Sequence, residues 1–545
     1  MRRKLWLSIA MLVIGTGLLV AAGTASGAGT GAKNSSAAKA GGTLRVNLSA
    51  TDVDFVDPAL SYFVPGWQIE YSTCAKLLNY PDAPAPRGSQ LVPEAATGFP
   101  RISHDGKTYT FTIRKGMQFS NGATVGAANF AAAINRDLNP AMQSPAGQFI
   151  ADVVGAENVL KGKAKKASGV IVKGNTLIFK LTQAAPDFTA RLAMPFFCAI
   201  PTNLPINPQG VNSLPGAGPY YVKSRTPNGP IVLARNTHYK GSRPHGPDTI
   251  VYTVNTDLNQ SLLEVKQGTK DYDAGGLPPT AVAGLGAQFG VNKGRFFVHP
   301  IVETDYVALN TSRPLFGNLK MRQAANFAID RPAMLRQRGA FAGQRNDQIL
   351  PPGMPGYRDT HTYPIQGANP TKAKALAGGK TGTVQLYHGS AGVGPLQAQV
   401  LQFNLKQMGL TVADHAFTTS VMYAKAGTKG EPFDAVIAGW SADYADPFDF
   451  LDVLLNGGNI HATNNNNLAY FNDPSFNAKM NSASKLVGQP RYSRYAALDI
   501  DITAHGAPWL AFDNRNVREF VSSHVQNFVF QPVYGGMDLG AVQIR

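Results

Sequence analysis

The sequence predicts an α/β fold of two lobes with mixed sheets and an extra small α/β subdomain, and three observations carry that expectation. At 545 residues the chain is too long for one compact core, so two or three packed units are expected. Val384 and Leu386 read as a strand, Leu396 to Met408 as an amphipathic helix stopped by Gly409, and Leu410 to Val412 as the next strand. That β-α-β order builds parallel sheet. From Val302 the alternation of strand-like and helix-like segments starts afresh, as it does when a second lobe opens.

Composition narrows the class. Charged residues are only 15%, while 56 Gly and 37 Pro indicate a loop-rich globular protein rather than a disordered one. The net charge is +16, yet Lys and Arg are dispersed, and their densest cluster, Lys161 to Lys166, falls in a short Gly/Ala-containing loop. No nucleic-acid interface is expected from such a distribution; a basic surface equally suits loose association with anionic lipid or cell wall. At the start, Arg2, Arg3 and Lys4 precede an uncharged run, Leu5 to Ala22, and the small residues Ser26-Gly27-Ala28. This is the pattern of a signal peptide over residues 1–28, although a run of that length also suits an uncleaved anchor. The chain is therefore expected to be exported. The first cysteine is Cys74, so the region lacks a lipid-attachment cysteine. Residues 29–42 are Gly/Ala/Ser-rich and read as a flexible linker.

The elements then follow in order. Leu44, Val46 and Leu48 alternate with Arg45 and Asn47, which is the period of a half-buried strand. Tyr62 to Tyr80 has the look of a helix. Asp105-Gly106 makes a hairpin turn, with Tyr109, Phe111 and Ile113 on one face of the next strand and Thr108, Thr110 and Thr112 on the other. Asn121-Gly122 turns the chain again, and Thr124 caps a helix whose stripe is Ala127, Phe130, Ala131, Ile134 and Leu138. Val170 to Leu181 repeats the strand pattern around Gly174-Asn175. Gly284-Leu285-Gly286-Ala287-Gln288-Phe289 nearly matches a dinucleotide fingerprint, but Phe289 replaces the third glycine and no strand precedes it, so it reads as a loop. Asp330 before Arg331-Pro332 is a helix start. The Asn-rich stretch Asn456 to Asn472 is loop-like, either rimming a cleft or lying on the surface.

The most informative stretch is Phe433 to Phe450. Ala435-Val436-Ile437-Ala438 fits a buried strand ended by Gly439, and Trp440, Asp443, Tyr444 and Asp446-Pro447 follow. An aromatic surface and a carboxylate thus sit at a strand end, where open α/β sheets bind ligands. The same residues also suit core aromatics and capping aspartates. Gly439-Trp440-Ser441-Ala442-Asp443-Tyr444, with Asp446-Pro447 and Phe450, resembles the GWxADYxDPxxF segment of the family 5 extracellular solute-binding proteins of ATP-binding cassette importers, which include the oligopeptide- and dipeptide-binding ones. Gly41 to Val46, Val56 to Leu60, Leu91 to Ala96, Ser103 to Phe111, Arg114 to Gly122, Gly216 to Tyr220, Leu309 to Thr311, Met321 to Ala325, Ala328 to Arg331 and Pro351 to Tyr357 also resemble segments of that family. The resemblance covers nearly everything after Gly41.

The resemblance implies a two-lobed, periplasmic-binding-protein-like fold. Lobe one would span residues 43–301 with a subdomain at about 81–189, lobe two 302–507, and 508–545 would return to lobe one. It implies a monomer that closes by a hinge around a small peptide or similar solute and serves a membrane permease, with no cofactor. In peptide-binding relatives the motif's aspartate pairs with the ligand's amino terminus, a role that carries to Asp443. Trp440 and Tyr444 would supply wall surface, Tyr62 and Phe63 would face them from lobe one, and Tyr306 is a further candidate. Members of the family also bind nickel complexes and sugars.

Catalytic signatures are missing: the sequence holds no HExxH, GxSxG or CxxC, and its ten His lack i, i+3 or i, i+4 pairs. Ser103, His104 and Asp105 are adjacent in a turn and cannot converge on one reacting atom. No catalytic or metal-binding residue is expected, and a secreted hydrolase, the competing class, lacks a nucleophile with a partner. Two cysteines in an exported chain suggest one disulfide, Cys74 to Cys198, while two buried thiols fit the same count. Oligopeptide-binding relatives can carry a bridge ending inside the tryptophan motif; Ser441 holds that position here, so that bridge cannot form.

Overall fold

The computed structural model describes residues 41–49, 52–84 and 87–545. The expected signal peptide and nearly all of the linker lie outside the described residues. Among those residues the strands gather into three larger sheets and several two-stranded ribbons.

The first large sheet has five strands, in the order Tyr272–Asp273, Thr43–Ser49, Thr249–Thr256, Ile231–Arg235 and Tyr220–Arg225. Its first three strands run parallel and the rest antiparallel. Leu44, Val46 and Leu48 are buried and Arg45 is exposed, as the alternation predicts, but Asn47 is buried as well, its amide donating to Ser261 Oγ at 3.0 Å and Glu264 Oε2 at 2.8 Å. Their core is completed by Val521, Met537, Leu539 and Val542 from the end of the chain.

A four-stranded antiparallel sheet follows, in the order Arg101–Ile102, Thr108–Thr112, Thr176–Lys180 and Val170–Lys173. Gly106 takes a left-handed φ of 68° in the first hairpin, a conformation that glycine adopts without steric cost. Tyr109 and Phe111 bury against Phe179, Phe188 and the helix Ala127–Asp137.

Three local expectations need correcting. Thr124 does not cap the helix, because its backbone bridges to Gln118; Gly126 occupies the cap, and its N–H donates to Asn129 Oδ1 at 2.9 Å. The helix after Tyr62 covers only Val64–Thr73. Beyond Cys74 the backbone is claimed by sheet-like bonds, with Ala199 donating to the Ala75 carbonyl and Glu94 and Ala96 to that of Leu77. Val282–Phe289 is a helix rather than a loop, since burying Val282 and Leu285 beside Phe296 outweighs its two glycines.

The third sheet has seven strands. Six run in the order Phe296–Pro300, Trp509–Phe520, Glu303–Leu309, Ala435–Ser441, Gly382–Gly389 and Leu410–Phe417, and Gly343–Arg345 joins Trp509–Phe520. The predicted β-α-β unit is present, with parallel strands around the helix Gly394–Gln407 and Gly409 at φ 92°. Alternation along the central strands feeds two cores. Tyr306, Ala308, Val436 and Ala438 face one, whereas Val307, Leu309, Ala435 and Ile437 face the other. Asp330 caps the helix Arg331–Arg336 by accepting from the Ala333 N–H at 2.9 Å.

Candidate functional site

The tryptophan segment is positioned by strand pairing. Ala435–Ser441 runs antiparallel to Glu303–Leu309, with Trp440 opposite Thr304 and Ser441 opposite Glu303. Gly439 does not end the strand. A Cβ at this position would lie 2.5 Å from Asp305 Oδ1, so the glycine makes room for a neighbouring carboxylate. After Ser441 the chain turns, and Asp446 Oδ1 accepts from the Phe448 N–H at 2.9 Å to start the helix Phe448–Leu455.

Within that turn the polar atoms converge. Trp440, half-buried, donates from Nε1 to Asp449 Oδ2 at 3.1 Å, and the Asp443 N–H donates to the same oxygen at 2.9 Å. Asp443 is 7% exposed and accepts from the Tyr62 hydroxyl at 2.8 Å. Burial pushes the Asp443 carboxyl up to about 7, against the opposing pull of the Tyr62 bond. Asp449 is fully buried, and burial together with the adjacent Asp443 charge drives its carboxyl well above the usual range.

A second set of contacts runs beside the first. Tyr444 is fully buried and donates to Asp187 Oδ2 at 3.1 Å. Asp187 pairs with Arg191 at 3.0 Å, and Arg191 reaches Asp152 at 3.0 Å. Arg491 grips Asp446 through two bonds of 2.7 and 3.0 Å and stands 3.9 Å from Asp187. A ladder of charges thus joins residues 152–191 to residues 444–491. Buried pairs of this kind hold their geometry because losing one partner strands the other.

Of the residues picked from the sequence, the structure brings together Tyr62, Trp440, Asp443 and Tyr444. The Tyr62 ring packs on Phe196 at 5.4 Å, Trp67 at 5.9 Å and Phe149 at 6.5 Å. Phe63 does not join them: its side is 45% exposed, and it contributes a backbone N–H to Asp54 at 2.9 Å at the start of the helix. Tyr306 is 1% exposed and stacks on Trp509 at 3.6 Å, so its ring is occupied by the core. Cys74 and Cys198 are bridged, with Cα atoms 5.6 Å apart, which ties the helix Val64–Thr73 to the turn that carries Phe196. A cavity of about 670 Å³ lies elsewhere, lined by Arg336, Arg345, Tyr357, His361 and Asn514 among others, and includes none of these residues.

Sequence reasoning missed Asp449, Asp187, Arg191 and Arg491. Asp449 had a readable signal, standing three residues after Asp446 on a helix start, and Asp187 and Arg191 have the i, i+4 spacing of a helical ion pair. The long reach of Arg491 had none. In the Asn-rich loop, Asn465 and Asn467 are buried and donate to the carbonyls of Gly427, His461 and Phe471, so they mainly hold the loop's own backbone.

Comparison with known proteins follows the same outline. The sequence model described as "Bacterial extracellular solute-binding proteins, family 5 Middle" matches residues 90–462. The chain is 28% identical over 481 residues to heme-binding protein A of Haemophilus influenzae, covering 82% of this chain and 83% of that one. It is 25% identical over 383 residues to the oligopeptide-binding protein OppA of Bacillus subtilis, covering 66% and 69%. Among solved structures, clavulanic acid biosynthesis oligopeptide binding protein 2 superposes with a TM-score of 0.84 at 22% identity, over 93% of this chain and 96% of that one. The two-lobed fold of that class is the fold of this protein.

Proposed function

Because this chain belongs to the bacterial extracellular solute-binding proteins of family 5, we propose that it is the exported receptor of an ATP-binding cassette importer and captures small peptides with a free amino terminus. The observation that carries this reading is Asp443, a buried carboxylate at a strand end whose side-chain partner is the Tyr62 phenol rather than a base. An ammonium is the group that such a carboxylate lacks. Extended peptides suit the remainder, since their backbones pair with strand edges and polar groups bridged by water. The solved oligopeptide-binding relative and the Bacillus one are named for that ligand class.

In this reading residues 43–301 and 508–545 form lobe one, with a subdomain at about 81–189, and 302–507 form lobe two. Closure bends the ribbon in which Phe296–Pro300 pairs with Asn516–Phe520. The receptor works as a monomer outside the cytoplasm, in a periplasm or at the cell surface, and hands its solute to a membrane permease. The heme-binding relative raises a second ligand class. The acidic surroundings of Asp443 weigh against it, because the propionates of heme would add negative charge there.

The test is calorimetry on wild type and Asp443→Asn, each with a peptide selected by native mass spectrometry and its amino-acetylated form. Asn keeps the shape and removes the charge. The substitution should cost on the order of 3 kcal/mol, about a hundredfold in affinity, and acetylation should mimic it. Equal binding of all four combinations would refute the assignment.

A further inference from the structure

The acidic groups around the tryptophan segment outnumber what the fold answers. Asp152, Asp187, Asp443, Asp446, Asp449 and Asp452 all gather here, and the guanidiniums that meet them are Arg191 and Arg491. Arg191 is engaged by Asp152 and Asp187, and Arg491 by Asp446. Asp452 accepts from the Tyr495 hydroxyl at 2.6 Å. That leaves Asp443 and Asp449. Facing them are the phenol of Tyr62 from the turn before Val64–Thr73, the indole of Trp440 from its own strand, and Tyr80, whose phenol is pushed up by burial and by the Asp446 and Asp449 charges. Tyr444, on the same turn, is spent on Asp187. No Lys, Arg or His among the described residues lies within ion-pair distance of either carboxyl.

Asp449 carries a second sign. Its Oδ2 accepts from Trp440 and from the Asp443 N–H, whereas its Oδ1 is buried with no hydrogen-bond partner among the described residues. Buried carboxylate oxygens are almost always bonded, and one left open beside another unneutralised acid marks the place of a missing cation or proton. Two such acids side by side do not both ionise.

We propose that Asp449 is the second carboxylate of the ligand-ammonium site, and that capture of the ammonium expels a proton held by the Asp443 and Asp449 pair. This deepens the reading above and rests on it. The cation replaces the proton, which leaves to solvent, and the charge inside the closed site is unchanged by the exchange. Ammonium ligands thereby meet two acceptors, and because a proton must leave, their affinity should rise with pH towards neutrality, whereas that of neutral and anionic solutes should not. The raised Asp443 carboxyl keeps its proton up to about pH 7, so at pH 6 there is a proton for the ammonium to expel.

The experiment offers the purified protein an equimolar library of tri- to pentapeptides with free amino termini and identifies the retained one by native mass spectrometry. That peptide is titrated by calorimetry at pH 6 in two buffers of different ionisation enthalpy, against wild type and Asp449→Asn. Asn accepts the same two N–H bonds through its amide oxygen, and circular dichroism checks that the variant folds. Wild type should bind about tenfold more tightly than Asp449→Asn, and both should release a proton at pH 6, because burial raises the Asp443 carboxyl in either protein. Equal affinity of the two proteins would make Asp449 a structural acceptor only, and the absence of proton release by wild type would remove the exchange; either overturns the inference with the peptide assignment intact. Retention of no library peptide, or equal binding of the acetylated form, would remove the peptide assignment and this inference together.

Discussion

Replacing Tyr444 by Phe isolates one rung of the charge ladder. The ring would keep its edge-on contact with Phe149 at 6.4 Å, and only the hydroxyl that donates to Asp187 at 3.1 Å is removed. Hydrogen bonds to charged groups contribute roughly 1.5 to 3 kcal/mol, and because Asp187 retains Arg191 the lower end of that range applies. In an opened cleft the phenol would be hydrated, so the loss falls on the closed state. A cost of about 1.5 kcal/mol shifts the balance between closed and open about tenfold, and ligand affinity should fall by the same factor, mainly through a faster off-rate. Calorimetry and stopped-flow release measure both. A double-mutant cycle with Asp187→Asn should show coupling of about 1 kcal/mol between the two positions. Affinity within twofold of wild type, or simple additivity in the cycle, would refute the idea that this bond holds the site shut.

Two further outcomes are expected. Burial pushes the Asp452 carboxyl up to about 7, so the folded state keeps a proton that the unfolded chain loses from about pH 4 upwards, and stability drains as pH rises through that window. Asp452→Asn should leave the thermal midpoint unchanged at pH 4 and raise it at pH 8, by on the order of 2 to 4 kcal/mol in stability; an equal effect at both pH values would contradict this. The Cys74 to Cys198 bridge closes a loop with a sequence separation of 124, and in the chain-entropy account its removal by a double serine substitution should cost about 4 to 5 kcal/mol. Thiol labelling of denatured, unreduced protein should tag neither cysteine, and two tagged cysteines would end the proposal.

What the sequence made legible was local. The two-residue period at Leu44, Val46 and Leu48, the Asp105-Gly106 turn, the Asp330 cap and the β-α-β unit at 382–417 need only neighbours to be read, and all four are present. The failures share one cause. Gly439 is set by Asp305, on the paired strand; Thr124 is claimed by Gln118; and the helix after Tyr62 stops where residues 92–96 and 199 take over its backbone. Each depends on a partner that no short window contains. The site divides in the same way. The tryptophan motif was conspicuous, while the bond from Tyr62 to Asp443 spans 381 positions, and Tyr306 and Phe63 were aromatic residues whose surroundings the pattern could not give.

The sheet that begins at Thr43 is finished by Val521, Met537, Leu539 and Val542. For a chain threaded through a membrane from its amino terminus, this arrangement postpones completion of the first hydrophobic core until almost the last residue has crossed. Contacts so distant in sequence carry a large loop-closure penalty and form slowly. The delay keeps the chain loose on the near side, where a translocation pore needs it loose, and leaves an apolar sheet face uncovered on the far side in the meantime. An uncovered apolar face of that kind is where association between unfinished chains would begin.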